Sequence, residues 1–119
     1  DSLMQLYGTR HVQAAADAQQ AMATASGLIH ATPTGMDKLP GLPLAATLMR
    51  AQLWVAEIVY FPLETPLLKA ARALGCATVD GGAMAAGQAV GAFRLFTGLA
   101  PDEARMEAHL RAMLSQRAD

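Results

Sequence analysis

Residues 54–82 read WVAEIVYFPLETPLLKAARALGCATVDGG, and this stretch decides the fold. Trp54 to Tyr60 is rich in strand formers and is stopped by Pro62. Thr65 is a good helix N-cap, Pro66 suits the first helical position, and Gly75 suits the C-terminal stop. Cys76 to Val79 then forms a second short strand that ends at Asp80-Gly81-Gly82. Strand, helix and strand in this order argue for a parallel sheet covered by helices.

The flanks extend the same alternation. Downstream, a long helix runs from about residue 83 to 97 and closes at Gly98. The last helix starts near Pro101, with Asp102 and Glu103 in its first turn, where they oppose the helix dipole. Met106, Leu110, Met113 and Leu114 form its apolar stripe. Upstream, Gly27 to Ala31 reads as a strand that meets the breaker Thr32-Pro33-Thr34-Gly35. Residues 37–43 form a loop, and Leu44 to Met49 a short helix. Asp17 caps an Ala-rich helix over 17–26. Residues 11–14 read as a short strand, and residues 2–7 as the last turns of a helix stopped by Gly8. The expected order is helix, strand, helix, strand, helix, strand, helix, strand, helix, helix. That is an α/β class, a partial Rossmann-like parallel sheet with flanking helices and two C-terminal helices.

Composition sets the bounds. The 119 residues carry nine Lys and Arg against ten Asp and Glu, a net charge of −1. No basic excess exists to neutralise phosphates, which argues against nucleic acid as the partner. Apolar content of 53% with so small a net charge argues against disorder. Ala supplies 26 of these residues, so the core is modest and one domain is expected. No apolar run approaches the roughly 20 residues of a membrane span, and no membrane partner is expected. The lone Cys76 excludes an internal disulfide and points to a reducing, cytoplasmic setting. It is expected to be a small buried apolar residue.

Open parallel sheets bind ligands beyond the carboxyl ends of their strands. Three strand ends carry unusual loops here, at 31–35, 60–65 and 80–84, and a parallel sheet puts all three on one edge. Their glycines allow close approach of a ligand to the backbone, and Thr32 and Thr34 can bond phosphate or ribose oxygens. The plain alternative is that Gly and Pro only make turns. Gln88 follows Met84 by one helical turn, within about 40° of it. It flanks an apolar arc of Ala85, Ala89, Ala92, Phe93 and Phe96 that is expected to pack on the sheet. Gln88 could point into the cleft, where its amide suits a hydroxyl-rich substrate, or face solvent. Tyr60 could donate its hydroxyl at the same edge or serve as a rim aromatic. Glu57 would be costly to bury without a partner, and a cap or loop bond is the expected remedy. His11, His30 and His109 show no metal-ligand spacing with Cys76 or a carboxylate pair, so no metal is expected.

At these loops the chain resembles the shikimate and quinate dehydrogenases. Ala31-Thr32-Pro33-Thr34-Gly35-Met36 resembles the family's Asn-Ala-Thr-Pro-x-Gly-Met segment, with His30 where the family usually has Asn. Residues 54–60 with Pro62, Glu64 and Thr65 resemble a second signature, and Asp80-Gly81-Gly82-Ala83-Met84 through Gln88-Ala89 a third. Residues 93–98 with Pro101 and Asp102 match as well, so the likeness covers about 27–106. It implies reversible NAD- or NADP-dependent oxidation of shikimate or quinate. It also implies that Ala31, Thr32, Pro33, Thr34, Ile58, Gly81 and Met84 adjoin the cofactor, and that Tyr60 and Gln88 contact substrate. The family's catalytic Lys and Asp belong to an N-terminal substrate domain, and its glycine-rich turn also falls before residue 1. Residues 1–119 would then be one domain, the C-terminal portion of a dinucleotide-binding fold, with no catalytic residue of its own. Such a half-sheet is expected to be inactive and to self-associate or form a homo-oligomer. The competing expectation is a stand-alone, non-catalytic α/β module that binds a nucleotide or a partner chain.

Overall fold

The computed structural model describes residues 2–8 and 11–116. The elements are α1 (Ser2–Tyr7), α2 (Ala18–Thr24), β1 (Gly27–His30), a 3-10 turn (Ala46–Leu48), β2 (Trp54–Glu57), α3 (Pro66–Ala73), β3 (Ala77–Val79), α4 (Gly81–Thr97) and α5 (Glu103–Gln116). The three strands form one parallel sheet in the order β1-β2-β3. The α/β reading and the parallel alternation therefore hold.

Local chemistry accounts for most boundaries. Asp17 Oδ1 accepts from Gln19 N–H at 2.8 Å and starts α2. The Thr65 hydroxyl accepts from Leu68 N–H at 3.3 Å, and Pro66 opens α3. Gly98 ends α4 at φ 68°, a left-handed conformation that costs a side-chain-bearing residue most. The α2 C-terminus is closed by a distant group: the Arg50 guanidinium donates to the carbonyls of Met22 and Ala25.

The core lies on one face of the sheet. Met22 of α2, Val55 of β2, and Leu67 and Ala71 of α3 pack with Met49, Leu53 and Cys76. Cys76 is buried, as expected of a small apolar residue, and its thiol donates to the Arg50 carbonyl at 3.3 Å. The register aligns Ile29, Ala56 and Val79 on the opposite face. Ile29 is 62% exposed there and Val79 55%.

Four readings need correction. Residues 11–14 are not a strand: His11 and Val12 N–H both turn back to the Gly8 carbonyl, and the run is mostly exposed. Val12 and Ala14 would share one face of such a strand, but a single Val and an Ala offer too little apolar surface to hold it against a core. The strand expected to reach Tyr60 stops at Glu57, because Val59 N–H turns to the Glu57 carboxylate rather than to a neighbouring strand. The helix at Leu44 to Met49 shrinks to one 3-10 turn. Finally, the arc of Ala85, Ala89, Ala92, Phe93 and Phe96 does not pack on the sheet. The buried residues of α4 are Gly81, Gly82, Ala86 and Val90, its main partner is α5, and Phe96 is 88% exposed. Gly81 at the start of the helix lies against the Ile58 and Val59 carbonyls, and the helix then packs mainly along α5.

Candidate functional site

All three loops follow strand C-termini, as parallel order requires. A cleft of about 410 Å³ lies there, lined by Ala31, Thr32 and Met36 after β1, by Ile58, Val59, Tyr60 and Phe61 after β2, and by Leu114 of α5. The loop after β1 is tied by Gly35 N–H to the Leu39 carbonyl at 2.7 Å and Met36 N–H to the Pro33 carbonyl at 3.1 Å. The wall is mainly apolar, with the Thr32 and Tyr60 hydroxyls as polar groups. That combination suits a flat ring bearing a few hydrogen-bonding substituents.

A buried polar network adjoins this cleft. His30 and Glu57 are register partners at the ends of β1 and β2. His30 Nδ1 meets Glu57 Oε1 at 2.8 Å, with side chains 3% and 0% exposed. Glu57 Oε1 also accepts from Val59 N–H at 3.0 Å, and Oε2 accepts from the Thr65 hydroxyl at 3.0 Å. Thr65 thus joins the α3 cap to the network. The second ring nitrogen of His30 bonds the Thr32 hydroxyl. Among the described residues, no buried side-chain nitrogen or oxygen lacks a partner. The expected remedy for a buried Glu57 is therefore present. Its pairing with His30 escaped the sequence reading, which weighed His30 as a metal ligand and noted it where the resembled family usually has Asn.

The third loop is held by Asp80. Its carboxylate accepts from Ala83 N–H at 3.0 Å and from both Arg111 terminal nitrogens at 3.0 and 3.1 Å. Arg111 also bonds Glu107 one turn back on α5. Burial pushes the Asp80 carboxyl up, but the hydrogen bonds from Arg111 and Ala83 and the guanidinium charges of Arg111 and Arg72 outweigh it and hold it below its ordinary 3.8. The same contacts push the Arg111 guanidinium up. A carboxyl lowered in the native state stabilises above its unfolded value, and that stabilisation is lost as pH falls through the native value. Asp80→Asn keeps an N-cap residue and removes the charge. It is expected to cost about 1 kcal/mol at neutral pH. The gap between wild-type and variant melting temperatures should close as pH falls below 3.8. A gap independent of pH would assign the loss to packing.

The candidate residues divide into groups. Ala31, Thr32, Ile58 and Tyr60 meet in the cleft. Pro33 and Thr34 form the turn beyond it, and Gly81 lies buried against the Ile58 and Val59 carbonyls. Met84 is half-buried in the first turn of α4. Gln88 stands exposed on α4 and does not line the cleft. Sequence reasoning missed Leu114 as a cleft residue. Its signal was the apolar stripe of the last helix.

Comparison with known proteins then bears on this edge. A shikimate dehydrogenase (NADP(+)) of Streptomyces avermitilis is 65% identical over 86 residues, which are 72% of this chain and 30% of that protein. The chain is homologous to the shikimate/quinate dehydrogenase family. Among solved structures, quinate dehydrogenase from Corynebacterium glutamicum in complex with NAD matches with TM-score 0.73 and 52% identity, over 76% of this chain and 32% of that one. A ligand-free 5-ketofructose reductase of Gluconobacter also matches, with TM-score 0.67 and 32% identity, over 74% of this chain and 32% of that one. No protein-family model matches the chain. It spans about a third of the length of the shikimate and quinate dehydrogenases it resembles. Among the described residues, no helix is long and apolar enough to cross a membrane.

Proposed function

We propose that this chain supplies the nicotinamide side of the cofactor domain in an NAD- or NADP-dependent shikimate or quinate dehydrogenase. The observation that carries the reading is the cleft at the C-terminal ends of β1 and β2. It gathers Ala31, Thr32, Ile58 and Tyr60, four of the residues that the family resemblance singles out. The donor set fits a nicotinamide ring. Ile58, Val59 and Met36 offer apolar surface, and Thr32 offers a hydroxyl. Gly81 is bare where the helix start meets the end of β2. When bound, the nicotinamide supplies or accepts a hydride. The residues of this chain bind the ring, orient it and keep water from its face.

Tyr60 and Gln88 are assigned to the substrate, a cyclic hydroxy acid whose hydroxyls an amide and a phenol can bond. Gln88 faces open space on α4, where a substrate held partly by another domain could reach it. The general acid–base pair, the glycine-rich pyrophosphate turn and the substrate domain are assigned to chain outside these 119 residues. The 119-residue chain alone is expected to turn over neither shikimate nor quinate with either dinucleotide, and to self-associate through its open sheet face. In the full-length protein, Gln88→Ala should raise KM for the cyclic acid about tenfold through a lost hydrogen bond, leaving dinucleotide affinity unchanged. An unchanged KM would remove Gln88 from the site.

The likeness to the 5-ketofructose reductase favours one second reading, a reductase of another polyhydroxy ketone on the same cofactor half. Steady-state kinetics of the full-length protein on shikimate, quinate and 5-ketofructose separates the two. Preference for 5-ketofructose would displace the first.

A further inference from the structure

His30 is held from one side only by a group that can do nothing but accept. A carboxylate has no proton to give, so the 2.8 Å contact between His30 Nδ1 and Glu57 Oε1 places the ring proton on Nδ1. Glu57 is itself fixed by Val59 N–H and the Thr65 hydroxyl, so the imidazole cannot swing without breaking a buried network. The ring's other nitrogen then has one partner, the Thr32 hydroxyl. Thr32 is exposed and lines the cleft, whereas His30 is buried and does not. A buried pair thus ends on a single hydroxyl at the ligand surface.

We infer that His30, locked in the Nδ1–H form by Glu57, is a positioning residue that sets the hydrogen-bond polarity of Thr32 toward the bound dinucleotide. The inference rests on the dinucleotide reading of the cleft. With a neutral ring, Nε2 accepts, the Thr32 hydroxyl points its proton inward, and its oxygen faces the cleft as an acceptor for a ligand amide or hydroxyl donor. With a charged ring, Nε2–H donates to Thr32, and the hydroxyl proton is released toward the cleft. Of the groups bonded to the ring, Glu57 on β2 is ionisable and Thr32 on the following loop is neutral. The neutral ring is the state that presents an acceptor, and it matches a ligand that brings an N–H to this wall.

Two measurements on the full-length protein test this. Imidazole nitrogen NMR without ligand, at neutral pH, should show His30 protonated at Nδ1 and accepting at Nε2, with the Nε2 signal moving in Thr32→Val. An Nε2–H tautomer, or an Nε2 signal that Thr32→Val leaves unmoved, overturns the inference. Fluorescence titration with NADH and NADPH supplies the second readout. Thr32→Val and His30→Leu should each weaken binding about tenfold, and the double variant should bind no more weakly than the weaker single. Wild-type affinity in Thr32→Val, or losses that multiply in the double variant, overturns it. Thr32 is exposed, so its variant keeps the test open should His30→Leu fail to fold. Wild-type protein that binds neither dinucleotide refutes the dinucleotide reading, and the imidazole signals then decide the His30–Thr32 link alone.

Discussion

Glu57→Ala lowers the unfolding free energy by about 3 kcal/mol or more, because it leaves three buried hydrogen-bond donors without their acceptor. The Glu57 side chain is 0% exposed and receives three donors, from His30, Val59 and Thr65. Its removal strands all three away from water, and each orphaned buried polar group costs about 1–3 kcal/mol before relaxation. The losses are not additive, since local rearrangement can let one group find another partner. Small domains have only about 5–15 kcal/mol in total, so this one change takes a large share. Glu57→Gln keeps the volume and one acceptor oxygen and should cost less. Urea denaturation followed by circular dichroism measures both. A loss under about 1 kcal/mol for Glu57→Ala would mean that the network adds nothing beyond ordinary surface contacts.

Gly81→Ala is the second large effect. A Cβ at position 81 would stand 2.5 Å from the Ile58 carbonyl oxygen and closer still to that of Val59. Both obstacles are backbone, so neither can rotate away. Overpacking typically costs about 1–3 kcal/mol, and a backbone clash belongs at or above the top of that range. Ile58 and Val59 line the cleft, so the shift should also weaken the dinucleotide binding proposed for that cleft. Gly27→Ala is the matched control. Its Cβ would overlap the Trp54 ring, but Trp54 is 46% exposed and can swing into solvent. Differential scanning calorimetry should show the larger fall in melting temperature for Gly81→Ala. The reverse order would show that α4 adjusts its start more easily than Trp54 moves.

Much of the fold was legible because its signals are local. Thr65 and Pro66 start α3, Asp17 starts α2 and Gly98 ends α4, each through groups within a few residues. Alternation of strand and helix was enough to place three loops on one sheet edge. The end of β2 was not legible, since Ile58, Val59 and Tyr60 are as good strand formers as Trp54 and Val55. The residue that stops the strand, Glu57, does so by folding its own carboxylate back on Val59 N–H. The face of α4 was misread for a related reason. Ala and Gly dominate that helix, so its apolar pattern points weakly in several directions. Gly81 at its start lets it approach the Ile58–Val59 backbone, and α5 is its main packing partner.

The sequence by itself determined the parallel α/β alternation, the helix caps and the strand-end loops, because turn chemistry and hydrophobic period act over short separations. Only the tertiary structure decided that His30 meets Glu57 across 27 residues, that Asp80 meets Arg111 across 31, and that Leu114 closes the cleft. Those pairings depend on strand register and on which helix faces are left to be covered. A buried polar group takes whichever partner the finished packing brings within hydrogen-bond reach.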